Sequence, residues 1–254
     1  MNLFLERHRS LLTAAKIAVL LRDRYRVAMW TLGRSSAIRR YLGSHSIRKL
    51  QVGAGGNILD GWLNTDVYPS VPGVMYINAA KPFPLRDCTL DYIFSEHQIE
   101  HLTYDEGLFM LRECWRVLKP GGRMRIATPD LEAMVGLYAS NKSDLQQRYI
   151  KWMIERYVAE TGIYHECFVI NNAFLNLGHR FIYDRTTLET ALNKARFVDI
   201  THHKPGESGD SVFRGIEVHG KLIGDEDINR FETMALEAKR PMLGGGREVR
   251  VDDS

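Results

Sequence analysis

The sequence predicts an α/β protein built on a mostly parallel sheet, and three observations carry that expectation. Leu50-Gln51-Val52-Gly53-Ala54-Gly55-Gly56-Asn57 reads as a short strand running into a glycine bend. A second apolar run, Leu63-Asn64-Thr65-Asp66, ends in a carboxylate. From Lys49 onward, short apolar runs alternate with stretches of helical period, the pattern of parallel strands joined by crossovers.

The elements follow in order. Leu11 to Trp30 reads as a helix, with Leu11, Ala14, Ala15, Ala18 and Val19 on one face. Strands are expected at Leu50–Val52, Leu63–Thr65, Val74–Ile77 and Leu90–Ser95. Thr103-Tyr104-Asp105-Glu106 has the form of a capping box, in which hydroxyl and carboxylate each satisfy an orphan N–H. The stripe Leu108, Leu111, Trp115 and Leu118 continues that helix to Pro120-Gly121-Gly122, and Met124–Ala127 is the fifth strand. Residues 131–183 break the alternation; helices at Leu131–Ala139 and Ser143–Ala159 make this a cap insertion at one end of the sheet. Asp184 caps a helix through Ala195, strands follow at Phe197–Ile200 and Gly215–His219, and Asp225–Lys239 reads as a last helix before a glycine-rich tail. The expected division is a basic helical extension over 1–47, a catalytic domain over 48–223 and a C-terminal helix and tail over 224–254.

The spacing at the glycine bend selects the ligand. Dinucleotide sites want G-x-G-x-x-G and an acid about 20 residues on. Here Ile58 stands at the third glycine position and Asp66 follows Gly53 by only 13 residues. That leaves little more than one helical turn, a poor seat for a pyrophosphate. A ribose and adenine without phosphate fit better, which points to S-adenosylmethionine.

Composition sets the outer bounds. At 254 residues and 44% hydrophobic, the chain can bury one sizeable core. No run of about 18 uncharged apolar residues exists to span a bilayer. Cys88, Cys114 and Cys167 are too few and too scattered for a disulfide framework, so a reducing, cytoplasmic setting is expected. Residues 1–48 hold ten Lys or Arg against two acids, a net +8 that leaves −5 for the rest of a +3 chain. An acidic body argues against a nucleic-acid groove. The basic leader reads as a helix packed on the domain or on a second copy, or as a segment resting on an anionic membrane.

Taken together, these motifs resemble the class I S-adenosylmethionine-dependent methyltransferases over roughly residues 48–223, in the branch with a shortened first helix. The resemblance rests on Val52–Asn57 with Gly61–Asp66, on Lys81-Pro82-Phe83-Pro84-Leu85, and on Leu90–His97 with Glu100-His101-Leu102. Arg116–Gly122 and Gly178-His179-Arg180-Phe181-Ile182-Tyr183 complete the series. It implies a Rossmann-like sheet of seven strands, mostly parallel, with helices on both faces. Gly53, Ala54, Gly55 and Asn57 would lie against the cofactor. Asp66, with Val67, would hold the ribose, Asn78 and Ala79 would flank the adenine, and Ser95 and Glu96 would line the methyl-transfer chamber. Gln51 and Asn78 stand where the family often carries acids.

The chemistry expected at that chamber is alignment plus proton removal. His97, Glu100 and His101 follow the fourth strand and are the candidates for a base; if helical, the two histidines would share a face. Tyr164, His165, His179 and Arg180 lie in or beside the cap and could meet the acceptor, expected to be a small molecule or sugar methylated on oxygen. Two other readings stay open. His97-Gln98-Ile99-Glu100-His101 also spells the H-x-x-E-H of inverted zinc proteases, although its place after a strand in a glycine-loop domain argues against that reading. A cofactor-binding scaffold without turnover is the other.

Overall fold

The computed structural model describes residues 18–242. The first part of the expected Leu11–Trp30 helix and the tail from Gly244 lie outside them. Helix α1 covers 18–31 and α2 covers Arg34–Ser44. Then come β1 (Lys49–Val52), β2 (Leu63–Asp66), β3 (Val74–Tyr76), β4 (Leu90–Glu96), α3 (Tyr104–Val117) and β5 (Leu118–Pro129). Three helices follow, α4 (Leu131–Val135), α5 (Asp144–Tyr157) and α6 (Glu166–Leu175), then α7 (Arg185–Lys194) and β6 (Val198–His203). The chain closes with α8 (His219–Ile223), α9 (Glu226–Glu232) and β7 (Thr233–Lys239).

The seven strands form one sheet in the order β3-β2-β1-β4-β5-β7-β6, parallel except for β7, which runs antiparallel to both its neighbours. Strand order reverses between β1 and β4, and such a switch opens a crevice at the carboxyl ends of the strands. Register makes those ends level, with Val52 opposite both Thr65 and Ser95. The link from β1 to β2 carries no helix at all. Asn64 holds it instead: its side chain accepts from the Leu59 N–H and donates to the Leu59 and Trp62 carbonyls at 3.0–3.1 Å.

Three expectations are corrected. Gly215–His219 is not a strand but a turn running into α8. The last helix stops at Glu232, and Thr233–Lys239 is the seventh strand, so the sheet extends past residue 223. Met, Ala, Leu and Glu in that segment favour a helix locally. The opposing pull is seven paired positions against Arg123–Pro129 and near-complete burial on both faces. Tertiary pairing wins. The fifth strand is also longer than Met124–Ala127, because Gly121 N–H and Gly122 C=O exchange hydrogen bonds with Arg240 and carry the ladder outward.

The main core gathers on the sheet around Leu50, Ile93, Met110, Leu111 and Leu236. A second cluster, Tyr149, Ile150, Met153, Val169 and Ile228 among others, packs α5 and α6 with the α8–α9 segment as a cap. Thr103 forms the expected capping box with Glu106, and Asp184 caps α7. On α1, Trp30 stacks on Tyr76 at 5.8 Å while Leu20, Leu21 and Tyr25 stay exposed, as does Leu32 in the turn after it. Among the described residues no helix is long and apolar enough to cross a membrane.

One ion pair ties the loop after β3 to α3. Arg116 donates to both Glu113 oxygens at 2.7–2.8 Å and to the carbonyls of Phe83 and Leu85, while Glu113 accepts from Phe83 N–H at 2.7 Å. Burial works to raise the Glu113 pKa, but Arg116 and the Phe83 N–H outweigh it and hold the carboxyl below its usual range. A depressed folded pKa means stability that is complete above the usual carboxylate range and lost as pH falls through the lowered value. Glu113→Gln should therefore cost about 1–3 kcal/mol at neutral pH and progressively less toward about pH 3. Urea unfolding of both proteins across that range checks it; a cost independent of pH contradicts it.

Candidate active site

Gly53 and Ala54 both donate to the Thr65 carbonyl at 2.9 Å, which folds the chain back over the end of β2. Gly53 sits at φ 77°, and a Cβ there would stand 2.3 Å from Gln98 Cγ, so the Gln98 side chain lies directly across the bend. Gly55 (φ 52°) has open space where a Cβ would stand, leaving the backbone free for close approach. Beneath the bend, Asp66 accepts from Gly55 N–H at 2.9 Å and from Tyr68 N–H at 2.7 Å. The carboxylate thus points at the glycine loop and keeps lone pairs to spare.

Against this loop lies a cavity of about 510 Å³. Gln51 and Gly53–Asn57 form one wall; Glu96, His97, Val218, His219 and Leu222 form the other. Gln51 Oε1 and Asn57 Nδ2, both in that wall, are buried without a hydrogen-bond partner. The second wall is fixed by Glu96, whose carboxylate accepts from Val218 and His219 N–H at 3.0–3.2 Å. Burial raises the Glu96 pKa, and those two N–H groups oppose the rise. Behind them Arg125, fully buried, pairs with Glu217 at 2.5 Å and Glu237 at 2.7 Å, anchoring the 204–218 segment to the sheet.

A second chamber, about 220 Å³, opens under the cap. Its walls include Glu100, His101, His179 and Glu232 with the aromatic rings of Tyr149, Trp152 and Tyr157. His97 and His219 line both cavities and pack against each other with ring centroids 3.9 Å apart and planes tilted by 34°. The two rings stand where the cavities meet.

His97 takes a left-handed backbone (φ 46°), and residues 99–101 form a single 3-10 turn, so the motif is not helical and His97 and His101 do not share a face. His97 Nδ1 meets Glu100 Oε1 at 3.2 Å and Nε2 meets Thr233 Oγ1 at 3.2 Å. With both nitrogens engaged, His97 is not free to pair with His101 around a catalytic Glu100, which counts further against the zinc-protease reading. Burial lowers the His97 pKa, but the hydrogen bond and charge of Glu100, with Glu232 and Glu96, leave it raised. Glu100 is fully buried; burial alone would raise its pKa, yet His97 brings it below the usual range. His179 has its pKa lowered by burial.

His219 is the residue the sequence reading missed. Its Nε2 donates to Glu232 Oε1 at 3.0 Å, which leaves Nδ1 as the lone-pair nitrogen of the neutral ring. No local signal marked it, because the segment read as a strand and Glu232 as mid-helix. Other expected residues fall outside both cavities, Asp66 among them, since it sits beneath the bend without lining either. Asn78 spends its side-chain oxygen on Ala80 N–H, Ala79 is in the core, Ser95 is wholly buried and Val67 is exposed. Tyr164 bonds Glu155 and lines a separate cavity of the cap, His165 caps α6 through Cys167 N–H, and Arg180 pairs with Glu106 at 2.6 Å. Of the four expected acceptor residues, only His179 reaches the chamber.

Residues 61–126 match a family model described as a methyltransferase domain. The match runs from the turn before Asp66 through β4, the Glu100 turn and α3 into β5. Over this stretch the chain is similar to methyltransferase domains. Among solved structures, this chain is similar to a SAM-dependent methyltransferase from Archaeoglobus fulgidus at 18% identity, covering 81% of this chain and 92% of that one with a TM-score of 0.46. An S-adenosylmethionine-dependent methyltransferase from Mesorhizobium loti shows 15% identity over 76% of this chain and 91% of its own, TM-score 0.46. A Haemonchus contortus phosphoethanolamine N-methyltransferase 2, bound to S-adenosylhomocysteine, shows 15% identity over 83% of this chain and 53% of its own, TM-score 0.40. No curated protein matches in sequence.

The glycine-loop cavity fits the family's cofactor. Gln51 Oε1 and Asn57 Nδ2 are an orphaned acceptor and donor that a polar ligand would satisfy, and the Asp66 carboxylate, beneath the bend and outside the cavity lining, would be the group to meet ribose hydroxyls. When bound, the cofactor supplies an electrophilic methyl group on a sulfonium sulfur. Asp66→Ala strips Gly55 and Tyr68 N–H of their acceptor as well as any ribose contact. Calorimetry with S-adenosylhomocysteine should show binding weakened by about 1–3 kcal/mol; unchanged affinity would remove Asp66 from the cofactor site.

Proposed function

We propose that this methyltransferase transfers the methyl group to a hydroxyl oxygen of a small acceptor, of the sugar or ring-bearing alcohol class, held in the chamber under the cap. The observation supporting this reading is the junction of the two cavities at His97 and His219. One cavity has the glycine bend for a cofactor, and the other has aromatic walls for a ring face. At about 220 Å³ the chamber is smaller than the pockets that take drug-sized ligands, which favours a small acceptor or one ring of a larger one.

Most of the work in such a displacement is alignment, which can contribute roughly 7–11 kcal/mol. A hydroxyl must also lose its proton, and His219 is the group placed to take it. Glu232 holds its Nε2–H and so presents Nδ1, the arrangement of a base oriented by a carboxylate. His97, with both nitrogens committed, serves as the packed ring that holds His219 in place. Glu100 and Thr233 in turn hold His97.

The test is a panel of sugars, phenols and alcohols alongside amines, read as S-adenosylhomocysteine formation with the product located by mass spectrometry. Hydroxyl acceptors should turn over, and His219→Ala should lower kcat by about 10²–10⁴-fold while S-adenosylhomocysteine affinity changes by less than about threefold. Methylation confined to amines, or full turnover in the variant, refutes the reading.

A further inference from the structure

The chamber's wall holds a cluster whose metal-ligating capacity the methyl-transfer chemistry above leaves unused. Glu100, His101 and His179 each offer one ligating atom, and these atoms all lie within 4.8 Å of one another. The geometry points to a binding site for a divalent first-row transition metal ion of the zinc class, held by these three residues and facing the acceptor.

Each donor is already prepared for that task. His101 Nδ1 contacts the Gly178 carbonyl at 3.2 Å and must donate to it, which fixes the tautomer and leaves Nε2 as the bare nitrogen. His179 Nδ1 is buried with no hydrogen-bond partner, an orphaned atom that a cation would satisfy. Thr128 Oγ1 donates to Glu100 Oε2 at 3.0 Å, the outer contact that orients a ligating carboxylate. The chain segments are pinned as well, since the Glu100 carbonyl accepts from Arg180 and Phe181 N–H and so brings His179 beside the Glu100 turn. Two imidazoles and one carboxylate suit zinc-class ions and leave coordination positions open. Closing on an ion at about 2.0–2.1 Å would draw the three atoms to roughly 3.3 Å apart, a short movement of side chains.

The ion's part in catalysis rests on the methyl-transfer reading, whereas its binding does not. Bound to the acceptor hydroxyl, the metal makes that oxygen more acidic. The proton passes to His219 Nδ1 and the oxygen forms the new bond to the methyl carbon. The sulfur–carbon bond breaks and sulfur keeps the electron pair as a neutral thioether.

Co²⁺ titration of the metal-free protein, followed by its visible ligand-field spectrum and by metal analysis after Zn²⁺ loading, tests the site directly. The wild type should take up one ion per chain. His101→Ala, at an exposed position, and His179→Ala should each weaken binding by at least about 100-fold, and Thr128→Val by about 10–100-fold. No uptake by the wild type, or wild-type affinity in both histidine variants, overturns the proposal. A protein that binds the ion yet produces no S-adenosylhomocysteine with any acceptor sinks the methyl-transfer reading and leaves the metal site standing.

Discussion

Glu100 is the residue on which the rest of the site depends. Its carboxylate is entirely out of water, and a buried charge is tolerable only when every lone pair meets a donor. Here His97 occupies one oxygen and Thr128 the other, and the main-chain carbonyl of the same residue takes two N–H groups from Arg180 and Phe181. One residue therefore joins the end of β4, the end of β5 and the segment after the cap. The need to satisfy it dictates where His97 stands, and through the packed rings where His219 stands.

The sheet supplies the frame within which that constraint operates. Reversal of strand order beside β1 opens the crevice, and the level register of β1, β2 and β4 brings the glycine bend, Asp66 and Glu96 to one edge. The far wall comes from 204–219, a segment with little regular structure of its own. It is held by charges instead: Arg123 to Asp210, Arg125 to Glu217, and Glu96 to two N–H groups. Ion pairs of this kind add little net stability but fix geometry, which is what a site built on a loop requires.

How much was legible in the sequence follows the reach of each interaction. The strand–bend–strand unit ending at Asp66, the capping box at Thr103 and the Asp184 cap are local, and each appears where the residues indicate. The fold class is legible for the same reason, because periodicity is a short-range property. What failed was long-range. Thr233–Lys239 has the composition of a helix and becomes a strand through partners a hundred residues away. His219 joins the site through Glu96, 123 positions earlier. Tyr164 and His165 looked equivalent to His179 in sequence; only the bond from Arg180 N–H to the Glu100 carbonyl explains why the last alone faces the chamber.

The position of β7 bears on how the molecule comes into being. Among the described residues, strand β6 pairs in the sheet only with β7, which follows it in the chain. Until those seven residues emerge, β5 presents a bare edge, β6 has nothing to dock on, and the imidazole of His97 lacks its Thr233 anchor. A nascent chain can thus collect the first five strands as it is made, but the reaction centre is complete only once β7 has paired. Cells holding truncated copies would carry unfinished sheets with a sticky margin, not partly working enzymes.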